Sequence, residues 1–307
     1  MSRSPVLLII FNRPNFSMQT AREIVRNCPS KLYVAGDGPR TAQEADLVAS
    51  AREAVLDAVD GKVELITQFQ DRNLGCKRGV ESALTWFFEH EDEGIVLEDD
   101  CVPSPSFFEF CDLMLERYRV NDRVMHIAGY SPRNMPRAGY SFSQFPSVWG
   151  WATWRRAWVM HPGALPAMTP STTRSLRAAF ATGTEHRYFT ALFDQVAKGT
   201  LDTWDYSWMY TILVRQGLTI RPHRNLVENI GVGDVRAAHT RRRRAAVASN
   251  PARTMDVASL ERPAFELPDF EADRSYFRWA VGRRFLLRRP DLLLQSLAQL
   301  SIRKTWS

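Results

Sequence analysis

The sequence predicts an α/β fold, a mostly parallel sheet flanked by helices, with a helical extension at the C-terminus. Three observations predict it. Val6-Leu7-Leu8-Ile9-Ile10-Phe11 is an unbroken apolar run, the mark of a strand covered on both faces. Apolar runs and amphipathic segments then alternate through about the first hundred residues, the pattern of right-handed βαβ units. The composition of the 307 residues (45% hydrophobic, 24% charged) supports a large core and excludes a disordered, collagen-like or disulfide-stapled chain.

The elements come in this order. Asn12-Arg13-Pro14-Asn15 turns the first strand into a helix over about 17–26, with Met18, Ala21, Ile24 and Val25 on one side. Lys31-Leu32-Tyr33-Val34-Ala35 is a second strand, stopped by Gly36-Asp37-Gly38-Pro39-Arg40. A helix over about 42–59 carries Ala45, Val48, Ala51, Val55 and Ala58 at helical spacing. Val63–Ile66 is a third strand, Val80–Phe88 a helix, and Gly94-Ile95-Val96-Leu97 a fourth strand. Beyond residue 100 the pattern loosens. A helix is expected over 107–118, a strand over 124–128, and a Pro/Gly/Ser/Trp-rich stretch over 131–154. Helices over about 173–181, 185–198 and 204–216 and a short strand over 218–220 complete a unit of residues 1–240. Residues 241–272 read as a linker, and 273–307 as a basic amphipathic segment with a break at Pro290.

The net charge of +6 is unevenly placed. Residues 236–307 hold 15 basic and 7 acidic side chains, a net of +8, so the first 235 residues stand at −2. Any partner inferred from charge belongs to the tail. Its arginines (278, 283, 284, 288, 289) alternate with apolar residues, so it can lie on anionic lipid as a peripheral contact or pack on the body. No signature of a nucleic-acid-binding fold accompanies it, and no nucleic-acid partner is expected. Cys28, Cys76, Cys101 and Cys111 lack metal-site spacing, and no signal peptide or apolar run of membrane-spanning length is seen. The expectation is a cytoplasmic protein, alone or at the inner face of the membrane.

Ligands of open α/β sheets bind beyond the carboxyl ends of the strands. Arg13 comes after strand one, Asp37 after strand two, and Glu98-Asp99-Asp100 after strand four. Three successive carboxylates repel one another and need a counter-charge, which a divalent cation with phosphate oxygens supplies; hard oxygen ligands suit Mn²⁺ or Mg²⁺. An acidic surface loop is the plainer alternative. Neither a GxxxxGK[ST] nor a GxGxxG stands after strand one, so a nucleotide would be held by side chains. Arg13 suits a diphosphate and Asp37 a base or ribose. Lys77 and Arg78 stand at the start of a helix, where anions are attracted.

The ordered set Phe11-Asn12-Arg13, Gly36-Asp37-Gly38, Asn73-Leu74-Gly75 and Ile95-Val96-Leu97-Glu98-Asp99-Asp100 resembles the Rossmann-like GT-A fold of nucleotide-sugar glycosyltransferases. It is most similar to the inverting N-acetylglucosaminyltransferase family acting on N-glycans and O-mannose, and to bacterial hemolysin-like relatives. Pro103 or Pro105 and Phe107-Phe108 match the proline and aromatic pair that the family carries after its acidic motif, and the resemblance spans about residues 5–240. It implies Asp100 as metal ligand, Asp99 on the ribose and Glu98 near the donor sugar. It also implies Phe11, Arg13, Asp37 and Lys77 on the nucleotide, although lysine replaces the histidine that the family shows at position 77.

In the second half, Trp149-Gly150-Trp151 resembles a family segment beside donor sugar and acceptor, which makes Trp151 a sugar contact; three tryptophans within six residues also suit a core. Trp204-Asp205-Tyr206-Ser207-Trp208 resembles the family's Trp-Asp-Asp-Trp, whose first aspartate is the catalytic base. Asp205 matches it; a helix cap is the alternative. The glycine-rich Asn229–Asp234 loop precedes His239, which the resemblance makes a second metal ligand and its neighbours Arg241–Arg244 make a surface residue.

The reading is therefore a metal-dependent inverting hexosyl- or N-acetylhexosaminyltransferase. It would use a nucleoside diphosphate sugar, UDP by resemblance, and a glycan or lipid-linked acceptor, as in bacterial polysaccharide synthesis. The alternatives are a sugar-phosphate nucleotidyltransferase, which lacks here its glycine-rich, lysine-ending loop, and a non-catalytic sugar-binding module.

Overall fold

Strand β1 (Val6–Ile10) divides its side chains between two cores. Val6, Leu8 and Ile10 pack with helices α1 (Pro14–Arg26), α2 (Ala45–Val59) and α4 (Pro105–Arg117) on one face of the sheet. Leu7 packs on the other face with α3 (Gly75–His90), α5 (Arg155–Trp158) and α8 (Asp205–Val214). A strand with helices on both faces must be apolar on both, which is what the unbroken run recorded. The structure is a computed structural model and describes residues 3–132, 134, 139–234 and 250–281, the last four by their backbone alone.

The remaining strands of the sheet are β2 (Leu32–Gly36), β3 (Leu65–Phe69), β4 (Glu93–Glu98), β6 (Val124–Ala128), β7 (Tyr140–Ser143), β8 (Trp151–Trp154) and β9 (Leu218–Pro222). Their order is β3-β2-β1-β4-β8-β6-β9-β7, and only β8 and β7 run against the rest. The short strands β5 (Cys101–Pro103) and β10 (Val227–Asn229) pair separately, antiparallel, with Asn229 opposite Cys101. The fold is thus α/β with a large, mostly parallel sheet between helices. The consequence for function lies in β2-β1-β4. These three strands are adjacent and parallel, so Asp37, Arg13 and Glu98-Asp99-Asp100 leave the sheet side by side.

The Ser131–Trp154 stretch supplies two strands that alternation did not announce. Strand β8 is short and wholly buried, and it inserts antiparallel between β4 and β6, with Ala152 opposite both Ile95 and Ile127. Its tryptophans therefore serve as core. Helix α7 (Gly183–Ala197) starts in a capping box, with Thr182 accepting from the Glu185 N–H and Glu185 from the Thr182 N–H.

The stretch expected as a linker is structured where it is described. Met255, Val257 and Leu260 are buried in the α4 core, and Ser106 on α4 exchanges hydrogen bonds with the Met255 backbone (3.0 and 3.1 Å). The final described helix, α9 (Phe270–Val281), begins before the expected boundary at 272/273. It is anchored through Asp273, 3% exposed, which accepts from Ser143 Oγ (2.5 Å), the Gln144 N–H (2.9 Å) and Arg221 Nη1 (3.3 Å). Apolar residues spaced through 255–260 and a buried ion pair thus attach a segment whose composition reads as loop. The rest of the basic tail, 282–307, lies outside the described residues.

Candidate active site

A cavity of about 510 Å³ opens over the carboxyl ends of β1, β2, β3 and β4. Among the described residues its charged lining is six carboxylates (Asp37, Glu98, Asp99, Asp100, Asp202, Asp205) and two guanidinium groups, Arg13 and Arg40. Arg13 precedes Pro14 at the start of α1, and its guanidinium bridges two acids. Nη1 donates to Asp100 Oδ2 (2.8 Å), Nε to Asp99 Oδ2 (3.3 Å), and Nη2 pairs with Asp99 Oδ1. Burial works against the Arg13 charge, but Asp99 and Asp100 outweigh it and hold the group firmly protonated. From the other side, Thr20 of α1 donates to the Asp99 carbonyl (2.8 Å), so strand, turn and helix are fastened together.

Burial pushes the carboxyls of Glu98 and Asp99 up; the negative neighbours Asp100 and Asp99 add to it at Glu98, and Arg13 opposes it at Asp99. No described residue hydrogen-bonds the Glu98 carboxylate. Asp100 is held by the antiparallel pair of β5 and β10. Its carbonyl accepts from Ile230 N–H (2.9 Å) and its Oδ1 from Asn229 Nδ2 (3.4 Å). The glycine-rich loop therefore lies on the acidic motif. A Cβ at Gly231 would fall 2.1 Å from Asp100 Oδ2 and 2.8 Å from Arg13 Nη1, so only glycine permits this approach.

Asp205 opens α8, its first-turn position dictated by what surrounds it. Trp204 and Trp208, four residues apart, lie in one core with Trp151 of β8; Trp204 stacks on Trp151 at 5.5 Å between ring centres. Met209, Tyr210 and Leu213 on the other flank pack in a third core with α7. The helix cannot turn about its axis without breaking one of the two. Asp205 Oδ1 accepts from the Tyr206 N–H (2.9 Å) and from Thr203 Oγ1, while no described residue hydrogen-bonds Oδ2.

Three expected contacts differ in the structure. Trp151 is fully buried, stacked between His126 (4.9 Å) and Trp204, so it cannot touch a sugar; half-buried Trp149 lines the cavity instead. Lys77 points away from the cavity, with Nζ on Glu81 (3.1 Å) and on the Gly163 carbonyl. The start of α3 beside it is capped by Asp202, which accepts from the N–H groups of Cys76 (3.1 Å) and Lys77 (3.2 Å), where phosphate was expected. Asp37 lines the cavity, but its carboxylate accepts from Gly38 N–H (2.8 Å), Leu74 N–H (2.8 Å), Gly75 N–H (3.2 Å) and Asn73 Nδ2 (2.9 Å). Those fill its four acceptor sites, so it fixes the loop before α3. Burial raises its carboxyl and these backbone donors draw it back down.

Phe11 lines the same cavity, with the Arg40 guanidinium 5.0 Å from its ring centre. Arg40 is itself held by Glu44, whose carboxyl that contact lowers to about 2. His239 lies outside the described residues. Sequence reasoning missed Arg40, Gln68, Gln70 and Asp202 of the lining. Arg40 stood in the quoted Gly-Asp-Gly-Pro-Arg turn and could have been weighed. Asp202 carried no signal, because its partners are 125 residues away.

Among the described residues no three His, Cys, Asp or Glu side chains form a metal-binding group, and no helix is long and apolar enough to cross a membrane. No protein-family model and no curated protein matches the chain. Among solved structures it is similar to the mannosyltransferase PcManGT of Pyrobaculum calidifontis, solved with GDP-Man and Mn²⁺, at 12% identity and TM-score 0.39, over 70% of this chain and 69% of that one. It is also similar to the glycosyltransferase GlyE of Streptococcus pneumoniae TIGR4, at 11% identity and TM-score 0.33, over 71% of this chain and 45% of that one. At these scores the likeness is partial and assigns no activity.

Proposed function

We propose that this chain is an inverting glycosyltransferase of GT-A type, which moves a sugar from a nucleoside diphosphate to an acceptor hydroxyl. One observation carries the reading. Side chains from the ends of three adjacent parallel strands and the first residue of α8 line a single cavity large enough for a nucleotide sugar.

In this reading the diphosphate lies near Arg13, and the nucleoside lies toward Phe11, Arg40 and the β3 glutamines. Asp205 Oδ2 takes the proton of the acceptor hydroxyl as its oxygen bonds to the anomeric carbon. The bond from that carbon to the diphosphate breaks, and its electron pair leaves with the nucleoside diphosphate. Oδ1 is held by Thr203 and the Tyr206 N–H, which orients the free oxygen.

A divalent cation fits this site chemically. Among the described residues six carboxylates face two guanidinium groups, an excess of negative charge that a divalent cation would offset beside a diphosphate. Mg²⁺ and similar ions beside phosphates take one or two protein carboxylates and complete their shell with phosphate and water. Asp100 would hold the ion, and when bound it would neutralise charge on the departing diphosphate. We favour Mn²⁺ and a UDP-hexose or UDP-N-acetylhexosamine on the motif resemblance, with a glycan or lipid-linked glycan as acceptor.

The test is thermal shift against a panel of nucleotide sugars with and without Mn²⁺, then transfer assays with whichever donor binds. One donor should raise Tm, and more so with the metal. If no nucleotide sugar shifts Tm under either condition, the reading fails.

A further inference from the structure

The larger cavity has two ends. At one, Asp205 borders a second cavity of about 120 Å³, walled by rings that include Tyr188, Tyr206 and Phe277. At the other lies β3, the edge strand of the sheet.

Parallel register lays the floor between these ends as one row. Gln68 stands opposite Ala35, Ala35 opposite Ile9, and Ile9 opposite Glu98, one residue from each of four neighbouring strands. All four line the cavity. At about 4.8 Å per strand the row is about 14 Å long, with an amide at one end, a carboxylate at the other and apolar side chains between. Side chains two apart share a face of a strand. Gln70 therefore follows Gln68 into the cavity, while Ile66 on the same face packs in the core against α3.

We infer that the amides of Gln68 and Gln70 read the nucleobase of the donor, and that they, rather than Asp37, decide which base is accepted. The inference rests on the glycosyltransferase reading, which places a nucleoside diphosphate in this cavity.

The other polar groups at this end are already engaged. The Asp37 carboxylate has its four acceptor sites filled. Asn73 donates its amide hydrogens to Asp37 (2.9 Å) and to the Gly38 carbonyl (2.8 Å), and its oxygen accepts from the Gly75 N–H (3.2 Å). Arg40 is turned to Glu44. Gln68 and Gln70 are half-buried, and no described residue hydrogen-bonds either amide. Each presents a donor and an acceptor side by side without charge, which complements the adjacent donor and acceptor of a base edge. A carboxylate offers acceptors only.

The amides also stand on a fixed frame. The Gln70 N–H donates to the Gly36 carbonyl (2.9 Å), which carries the β2–β3 ladder one residue past the strand. Arg52 Nη2 donates to the carbonyls of Gln70 (2.7 Å) and Asp37 (3.2 Å), and its guanidinium lies 4.7–4.8 Å class contact distance from no other ring than Phe69, at 4.8 Å from the ring centre. The end of β3 and the turn after β2 are thereby tied together behind the two side chains. With the base at Gln68 and the donor sugar toward Glu98, the diphosphate spans the middle of the row, where Arg13 leaves β1.

The experiment titrates the full chain by calorimetry with UDP, CDP, GDP and ADP, each with Mn²⁺, and with pyrophosphate and Mn²⁺. The wild-type chain should prefer one nucleotide by about tenfold or more. Gln68→Met and Gln70→Met should each weaken that nucleotide by about tenfold and shrink the preference to about threefold, with pyrophosphate affinity unchanged. Two positions keep the test open if one variant does not fold. Preference retained in both variants, or an equal loss of pyrophosphate affinity, overturns the inference. A wild-type chain that binds all four nucleotides alike also overturns it, and leaves the donor reading standing. If neither the nucleotides nor pyrophosphate bind, the donor reading falls and takes the inference with it.

Discussion

The two cavities that meet at Asp205 are built by opposite means. The larger collects short polar residues from the ends of parallel strands, each only one to four positions beyond an apolar run. The smaller collects rings from α7, α8, α9 and the Tyr130 and Phe145–Trp149 loops, up to 147 residues apart. A sheet that needs continuous apolar strands also announces where those strands stop. A helical wall made of aromatics looks like any other core. Chemistry is therefore written locally in this chain, and the shape of the aromatic cavity is written by long-range packing.

The comparison can be broken first at the seam. Asp205→Asn should lower transfer by about 10²–10⁴-fold, the usual contribution of a positioned base, with nucleotide-sugar thermal shifts unchanged. Full transfer by that variant would reduce Asp205 to a helix cap.

The next test separates the two tryptophans. Trp151→Ala should cost about 3–5 kcal/mol of stability, because the ring is fully enclosed. Trp149→Ala should cost much less and should weaken nucleotide-sugar binding in the larger cavity. Denaturant titration distinguishes them, and equal losses would deny the division between core and lining.

Arg13→Gln comes third. It would leave Asp99 and Asp100 buried together without their counter-charge, at about 3 kcal/mol, the low end of the range because the arginine side chain is 12% exposed. Losing it would raise the Asp99 carboxyl, already lifted by burial, further above its unfolded value, so the deficit should grow as pH rises and shrink in mild acid. A Tm deficit independent of pH would contradict the pairing.

The last test, smallest when read per pH unit, concerns the joint between the cores. His126 accepts from Trp208 Nε1 at Nδ1 (3.1 Å) and meets the Ser147 carbonyl at Nε2 (3.0 Å), and burial lowers its pKa to about 3. The unfolded chain takes up this proton below about pH 6.5, and the folded chain does so only near 3. Stability is thus complete above pH 6.5 and falls by about 1.4 kcal/mol per unit of acidification within that window. His126→Gln should lose that one-proton slope in chemical denaturation.

How much was legible obeys the same division. Alternation gave the sheet as far as β4, and the acids after it were visible because three carboxylates in succession demand an explanation. Lys77 misled because position on a helix start says nothing about which way a long side chain turns; Glu81, one turn on, captured it. Trp151 misled because aromatic density is common to sugar sites and cores, and only pairing with β4 and β6 decides between them. The 250–272 segment read as linker because its apolar residues stand among prolines and charges with no period, although Met255, Val257 and Leu260 suffice to dock it on the core.

Helix α8 is clamped on both flanks, by tryptophans toward the sheet and by the α7 core on the other side. Its two flanks are consequently open to independent variation. Substitutions among the rings of α7 and α9 can reshape the smaller cavity without shifting Asp205, because the sheet-side clamp holds it in register. A lineage carrying this arrangement can vary the rings while keeping the strand-end carboxylates and Asp205 in place, and the aromatic wall is where related chains should diverge first.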